Sequence, residues 1–372
     1  MRTHMNLTTA LARYGKDLME DVELFRRIAF AIDKEPRSII DYYNNPAISR
    51  LLGDRNSLCI ERTQKLEALA YGDAGVMLAC PGPSLSGLIL REIGTPEQND
   101  LFFNYIISHK AHTFLAVTEP NKGSDAGRMQ AVLTQDAENP NRVWLNGEKW
   151  LVGNGAIASI GIVIARTSPG PLGIAAVMIT PDELSQPGLY RTTLPLLGLR
   201  GAQLSYLAFN NFPVKKANIL GRHLSPMNRG MMALIKTFNR MRPCVGALAL
   251  GTAQAILDYI DLNCPRLTKS YAYHYARLAT LIHVTRQLLH KAAIAVDKNP
   301  FESSLISLAK MKATQTAETL ATEAFGFFGA GAFFEHPWLT KWYRDVFGFE
   351  YMEGTTNMQK KNIAQGYGHA NK

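Results

Sequence analysis

Three kinds of apolar spacing follow one another along the chain. Up to about residue 112, apolar residues recur every three or four positions, as in Leu18, Val22, Leu24, Phe25 and Ile28 and again in Leu66, Leu69, Val76 and Leu78. This is the spacing of amphipathic helices. Pro36, Pro46, Pro81 and Pro83 punctuate them. Gly94-Thr95-Pro96-Glu97 predicts a fresh helix start, with Thr95 as N-cap and Pro96 in the first position. From about 113 to 222 the period falls to two. Residues 131–134, 143–145, 161–165 and 174–179 predict strands, and Asn146-Gly147 predicts a tight turn between two of them. Beyond that, Met231, Leu234, Phe238, Val245, Leu248, Leu250, Ala253, Ile256 and Ile260 trace one long helix, followed by others over 272–296 and 303–326. Long helices apolar on several sides suggest a bundle. The expectation is an α+β chain in three regions: an N-terminal helical domain over 1–112, a β-barrel or sandwich over 113–222, and a C-terminal helical bundle over 223–372.

Composition narrows the class without fixing it. The chain has 372 residues, 47% apolar and 19% charged, an ordinary globular balance with material for two or three structural units. No apolar run approaches the ~20 residues of a membrane span, and the N-terminus lacks the pattern of a secretory signal, so cytoplasmic residence is expected. The formal net charge is +9 and the pI about 9.3, which favours acidic partners such as cofactor phosphates, a CoA tail or an acidic carrier protein. No basic stripe interleaved with aromatics marks a nucleic-acid surface.

Several chemistries drop out. Cys59, Cys80, Cys244 and Cys264 have no CxxC or metal-ligand spacing and read as buried small apolar residues. His109 and His112 are three apart but have no carboxylate or cysteine cluster near them, so no metal site is expected. No GxSxG elbow is present. Gly153-Asn154-Gly155-Ala156-Ile157-Ala158 fits GxGxxA, but a strand-like run follows it where a dinucleotide fold needs a helix.

Two segments remain. Val117-Thr118-Glu119-Pro120-Asn121-Lys122-Gly123-Ser124-Asp125 lies in the β-rich middle. Gly123 frees the backbone near a ligand, and Thr118 and Ser124 supply hydroxyls. Met352-Glu353-Gly354-Thr355-Thr356-Asn357 lies near the C-terminus, preceded by Arg344-Asp345. A carboxylate beside a glycine and hydrogen-bonding side chains is what α-proton abstraction from an acyl thioester demands: a base of near-neutral pKa in a dry site with donors for the enolate.

These segments resemble the flavin-binding loop and the catalytic-glutamate segment of acyl-CoA dehydrogenases. The similarity continues through Leu145-Asn146-Gly147-Glu148-Lys149, Asn154-Gly155, Leu197-Gly198-Leu199-Arg200-Gly201, 209–214 and Ile219-Leu220-Gly221, covering roughly residues 65 to 368. The resemblance implies an FAD enzyme that oxidises an acyl thioester of CoA or of an acyl-carrier protein. Glu353 would be the base that takes the α-proton as hydride passes to flavin N5, and the electrons would go on to an electron-transfer flavoprotein or oxygen. It implies flavin contacts from Leu115, Val117, Thr118, Gly123, Ser124, Leu151, Val152 and Gly153, with Thr355 and Asn357 at the adenine end. Substrate contacts would come from Ser124, Asn239, Arg242 and Gly354. Arg266, Gly326, Gly329 and Ala330 would reach a neighbouring subunit's FAD in a homodimer or homotetramer.

The departures from the family pattern matter as much. Leu151-Val152-Gly153 stands where the family has Trp-Ile-Thr, although Trp150 lies one place earlier. The Arg-x-x-Phe-Gly segment is reduced to Pro265-Arg266-Leu267-Thr268-Lys269-Ser270, Gly326 replaces a glutamine, Gly329-Ala330 replaces a glycine pair, and Met352 replaces an aromatic residue. Each lost hydrogen bond costs ~1 kcal/mol. Such divergence points away from routine fatty-acid oxidation, toward acyl groups on carrier proteins in secondary metabolism. Two other readings stay open: a nucleic-acid-binding relative that is not a dehydrogenase, and a flavin-free structural paralogue.

Overall fold

The computed structural model describes residues 12–123, 126–264, 266, 269 and 271–370. The N-terminal region is built on α1 (Lys16–Lys34), α2 (Pro46–Leu52), α3 (Cys59–Ala79), α4 (Ser84–Ile93) and α5 (Pro96–His109). The expected start of α5 is a capping box. Gln98 N donates to Thr95 Oγ1 at 3.3 Å, and Thr95 N donates to Gln98 Oε1 at 3.0 Å.

Seven strands follow: β1 (Thr113–Ala116), β2 (Val132–Gln135), β3 (Arg142–Val152), β4 (Ile160–Arg166), β5 (Ile174–Ile179), β6 (Leu189–Thr193) and β7 (Ser205–Lys215). They form one sheet in the order β1-β4-β2-β3-β7-β6, with β5 on β4. β5 occupies one edge of β4 along 161–166, so β1 and β2 share the other edge, paired in parallel at 160–163 and at Arg166. The chain between β1 and β2, which carries the flavin-loop motif, therefore leaves the sheet and returns to the same edge. β4 and β5 are buried on both faces. Ile160, Ile162, Ile164, Ala176 and Met178 pack with α4, α5 and the start of the next helix. Val163, Ala165, Val177 and Ile179 meet Leu145, Leu207, Phe209 and Phe212 of β3 and β7, so the sheet curls over its own core.

One expectation fails here. Asn146 and Gly147 are not a hairpin turn but lie within the 11-residue strand β3, at a bulge between the pairs Leu145↔Phe212 and Gly147↔Phe209. Asn146 Oδ1 accepts Asn211 N at 2.7 Å across the bulge. Gly147 has φ 131°, and a Cβ there would lie 2.6 Å from Ala131 Cα. Asn-Gly supplies the same backbone freedom to a bulge as to a turn, and spacing alone does not separate them.

The C-terminal part comprises α6 (Met231–Asn263), α7 (Ala272–Lys298), α8 (Ser304–Phe328), α9 (Pro337–Val346) and α10 (Thr356–Ala370). By length and composition α6 could cross a membrane, but its apolar stretch is wholly buried in this core. The N- and C-terminal helices share one core: Phe25, Leu69 and Tyr71 pack in the same cluster as Leu250, Ile256, Leu289, Leu320 and Trp342. α3 and α6 cross so closely that a Cβ on Gly251 would lie 2.2 Å from the Glu67 carbonyl. All four cysteines are buried and free.

Candidate active site

The loop after β1 is fastened to β3. Glu119 and Lys149 are both buried, and Lys149 Nζ lies 2.9 Å from Glu119 Oε1 and donates to Val117 O at 2.9 Å. Glu119 also accepts Gln130 N at 2.6 Å and Ala131 N at 2.9 Å. Trp150 N donates to Thr118 O at 2.8 Å. Val117 and Thr118 are thus bonded to Lys149 and Trp150, next in sequence to Leu151, Val152 and Gly153. Sequence reasoning gave Glu119 and Lys149 no role; the signal was their presence in both quoted motifs.

At the end of β3 the register slips between Lys149↔Leu207 and Val152↔Ser205. Leu151 adopts φ 56° and is 44% exposed, so its side chain stands outward where the family has tryptophan. Trp150 does not replace it: its ring packs edge-on against Tyr206 at 5.5 Å. A Cβ on Gly153 would find only Ala202 O, at 3.9 Å. The run 153–158 is a turn joining β3 to β4, with no helix after it.

A second group forms around Glu353. Between the helical turn Gly348–Tyr351 and α10, Met352 is extended, Glu353 has φ 49° and Gly354 φ 99°. Positive φ costs a non-glycine residue of order 1–3 kcal/mol and persists only where surroundings enforce it. Here three side chains do so. Arg242 Nε donates to Glu353 O at 3.1 Å, and Gln359 Nε2 donates to Glu353 O at 3.1 Å and Gly354 O at 2.8 Å. Lys310 Nζ donates to Glu350 O and Gly354 O, both at 2.9 Å. Glu350 caps α10 by accepting Thr356 N and Oγ1, both at 2.6 Å.

The Glu353 carboxyl is partly exposed as a residue, yet its Oε2 is enclosed and has no hydrogen-bond partner. Burial raises its pKa to about 7, against the opposing pull of Lys310 and Arg242. Burial lowers Arg242 to about 10, opposed by Glu353. Arg242 is oriented by Asn239, whose Oδ1 accepts from Nη1. Asn239 is fully buried, and its Nδ2 donates to Pro300 O at 2.8 Å and Ser303 Oγ at 3.3 Å. The structure thus shows Asn239 holding Arg242 in place. Pro243 within α6 denies the Asn239 carbonyl its helical partner.

α6 carries residues packed near each group. Leu115, Val117 and Phe238 pack against one cluster, and Phe238 lies one turn from Arg242, about 6 Å along the axis. Thr355 is half-buried and Asn357 exposed at the start of α10. Gly123 is exposed; Ser124 lies outside the described residues. Arg266, Gly326, Gly329 and Ala330 are exposed. Gly326 is about 24 Å along α8 from Lys310, at the opposite end from Glu353.

A flat, edge-polar ring would have the backbone of 117–118 and 151–153 as one margin, with Gly153 open beside it. Thr118, Leu151, Val152 and Gly153 would hold such a group.

A helical–β–helical chain of this topology has the architecture of an acyl-CoA dehydrogenase-like flavoprotein, and the comparisons agree. "Acyl-CoA dehydrogenase, middle domain" matches residues 115–212, and "Acyl-CoA dehydrogenase, C-terminal domain" matches 228–368. The 3-(aryl)acrylate reductase of Clostridium sporogenes is 30% identical over 307 residues, 79% of this chain and 78% of that protein. Among solved structures, the prolyl acyl carrier protein oxidase AnaB superposes with a TM-score of 0.82 at 22% identity, covering 95% of this chain and 99% of that one. PigA with FAD and proline superposes at 0.77 and 21% identity, covering 95% and 98%. The chain belongs to the acyl-CoA dehydrogenase family of flavoproteins.

Proposed function

We propose that this protein is an FAD-dependent dehydrogenase of acyl thioesters in which Glu353 removes the α-proton. The observation that carries this reading is the Glu353 carboxyl: enclosed at Oε2, unpartnered there, shifted to about 7 and held on a turn of positive φ by Arg242, Gln359 and Lys310. A base of near-neutral pKa has its best balance of ionised fraction and proton affinity at neutral pH. FAD, when bound, supplies the hydride acceptor at N5. The chain itself holds the loop 117–123 against β3, keeps Arg242 on the Glu353 carbonyl, and receives the proton on a carboxylate.

The substrate we propose is an acyl group on CoA or on a carrier protein, with an electron-transfer flavoprotein or oxygen as acceptor. The likeness to AnaB, a prolyl acyl carrier protein oxidase, supports a carrier-bound substrate, and we propose a secondary-metabolic setting; the net charge of +9 suits either thioester. We propose a homodimer or homotetramer and a cytoplasmic location; Arg266, Gly326, Gly329 and Ala330 are exposed, as a contact with a neighbouring subunit requires. The test is anaerobic reduction of the purified yellow protein by a panel of acyl-CoA and acyl-carrier substrates. Glu353→Gln should retain flavin and lose reduction about 10²–10⁴-fold. Reduction of that variant at full rate would remove Glu353 from the mechanism, and protein that takes up no FAD would refute the assignment.

A further inference from the structure

We infer that Lys310 is a positioning residue for Glu353, tying down the two carbonyls that bracket the glutamate and placing an ammonium group near its carboxyl. This rests on the reading of Glu353 as the base. Lys310 lies in the second turn of α8 and is fully buried. Its ammonium donates to Glu350 O and Gly354 O, both at 2.9 Å. Both acceptors are neutral, so these bonds fix the geometry of the turn and leave the charge of the cation uncancelled.

The charged groups that act most strongly on Lys310 and Glu353 come from three elements. Glu350 and Glu353 come from the turn, Glu318 from the same helix as Lys310, and Arg242 from α6. Glu350 is committed through both oxygens to Thr356. Glu353 is left with one enclosed oxygen that has no partner. A buried lysine is an expensive way to brace a turn, since a neutral donor or a well-packed apolar side chain serves stability as well or better. What a lysine adds is charge. Burial lowers Lys310 to about 8, opposed by Glu350 and Glu353, while Lys310 is the strongest influence drawing Glu353 back toward ionisation. Each group favours the charged form of the other across the neutral range.

The test separates charge from bracing. Glu353 is followed by ¹³C NMR of protein labelled at glutamate Cδ, with its signal assigned by loss in Glu353→Gln. Flavin reduction by substrate is measured against pH in parallel. In the unsubstituted protein the Glu353 signal should titrate near pH 7 and show a second inflection near pH 8 as Lys310 loses its proton. Lys310→Gln keeps a donor without charge, and Lys310→Met keeps neither. Both should move the Glu353 midpoint and the acid limb of reduction up by about one pH unit, lowering the rate on that limb about tenfold, with Lys310→Gln approaching the parent rate at high pH. Midpoints unchanged in the variants, or a single inflection in the parent protein should the variants not fold, would overturn the inference. Full-rate reduction by Glu353→Gln would defeat the base assignment and leave the titration result standing. An inactive Glu353→Gln with unchanged midpoints would defeat the Lys310 role alone.

Discussion

Replacing Glu353 by Gln should stabilise the fold at pH 8 and leave it nearly unchanged at pH 4. The folded protein raises this carboxyl from its ordinary 4.5 to about 7, chiefly by burial. A group whose folded pKa lies above its unfolded value favours the folded state when protonated. That contribution is full below about 4.5 and is lost as pH rises through 7. Above that, the ionised carboxylate costs the fold about 3 kcal/mol relative to a neutral isostere. The amide of Gln places a polar atom in the same enclosed position as Oε2 of the neutral acid, so that exchange is close to even. The net expectation is a gain of about 3 kcal/mol at pH 8 and none at pH 4. Urea unfolding at the two pH values, at fixed ionic strength, reads this as a higher midpoint for the variant at pH 8 only, with unchanged denaturant slope. Equal midpoint shifts at both pH values, or no gain at pH 8, would show that Glu353 is not held near neutrality. A site that sacrifices stability to keep a base poised is the expected trade between stability and function.

The buried pair Glu119–Lys149 gives a second prediction: Lys149→Met strands a carboxylate and should cost about 3–5 kcal/mol, with flavin lost in step, as read by unfolding and by FAD content after gel filtration. Glu119 is drawn below its ordinary range by Lys149 and two backbone donors, although burial opposes this. Its contribution is therefore present above about 4.5 and disappears as pH falls through the lower folded value, so the cost of Lys149→Met should shrink in acid. Lys341 lies 2.6 Å from Asp73 and 2.7 Å from Asp345, all three buried, and Asp345 accepts Leu199 N at 2.6 Å. Lys341→Met should cost a comparable 3–5 kcal/mol and loosen the 197–201 segment, detected as faster amide exchange at Leu199. Gly153→Thr should be tolerated within about 0.5 kcal/mol, because the nearest atom to the new Cβ is 3.9 Å away. If its hydroxyl reaches the ring, FAD should also bind more tightly in a fluorescence titration.

Much of this protein is decided by local sequence. Apolar periods of three to four and of two separate the helical and β regions, because side-chain direction repeats with those periods whatever the partner. Thr95 with Gln98 builds a helix start from residues three apart, and Gly354 permits the turn that Glu353 needs, since both effects act within a few residues. Tertiary structure decided the rest. It placed Asn146-Gly147 in a bulge within β3, because the register there is set by pairing with β7, a strand far along the chain. It joined the N- and C-terminal helices into one core, through a crossing of α3 and α6 that no local period records. It brought Lys310, Arg242 and Gln359, separated by as many as 117 positions, onto two adjacent carbonyls and beside one carboxyl. The identity of Glu353 could be read from its motif. Its ionisation could not, because a pKa depends on burial and on charges that only the folded chain brings near.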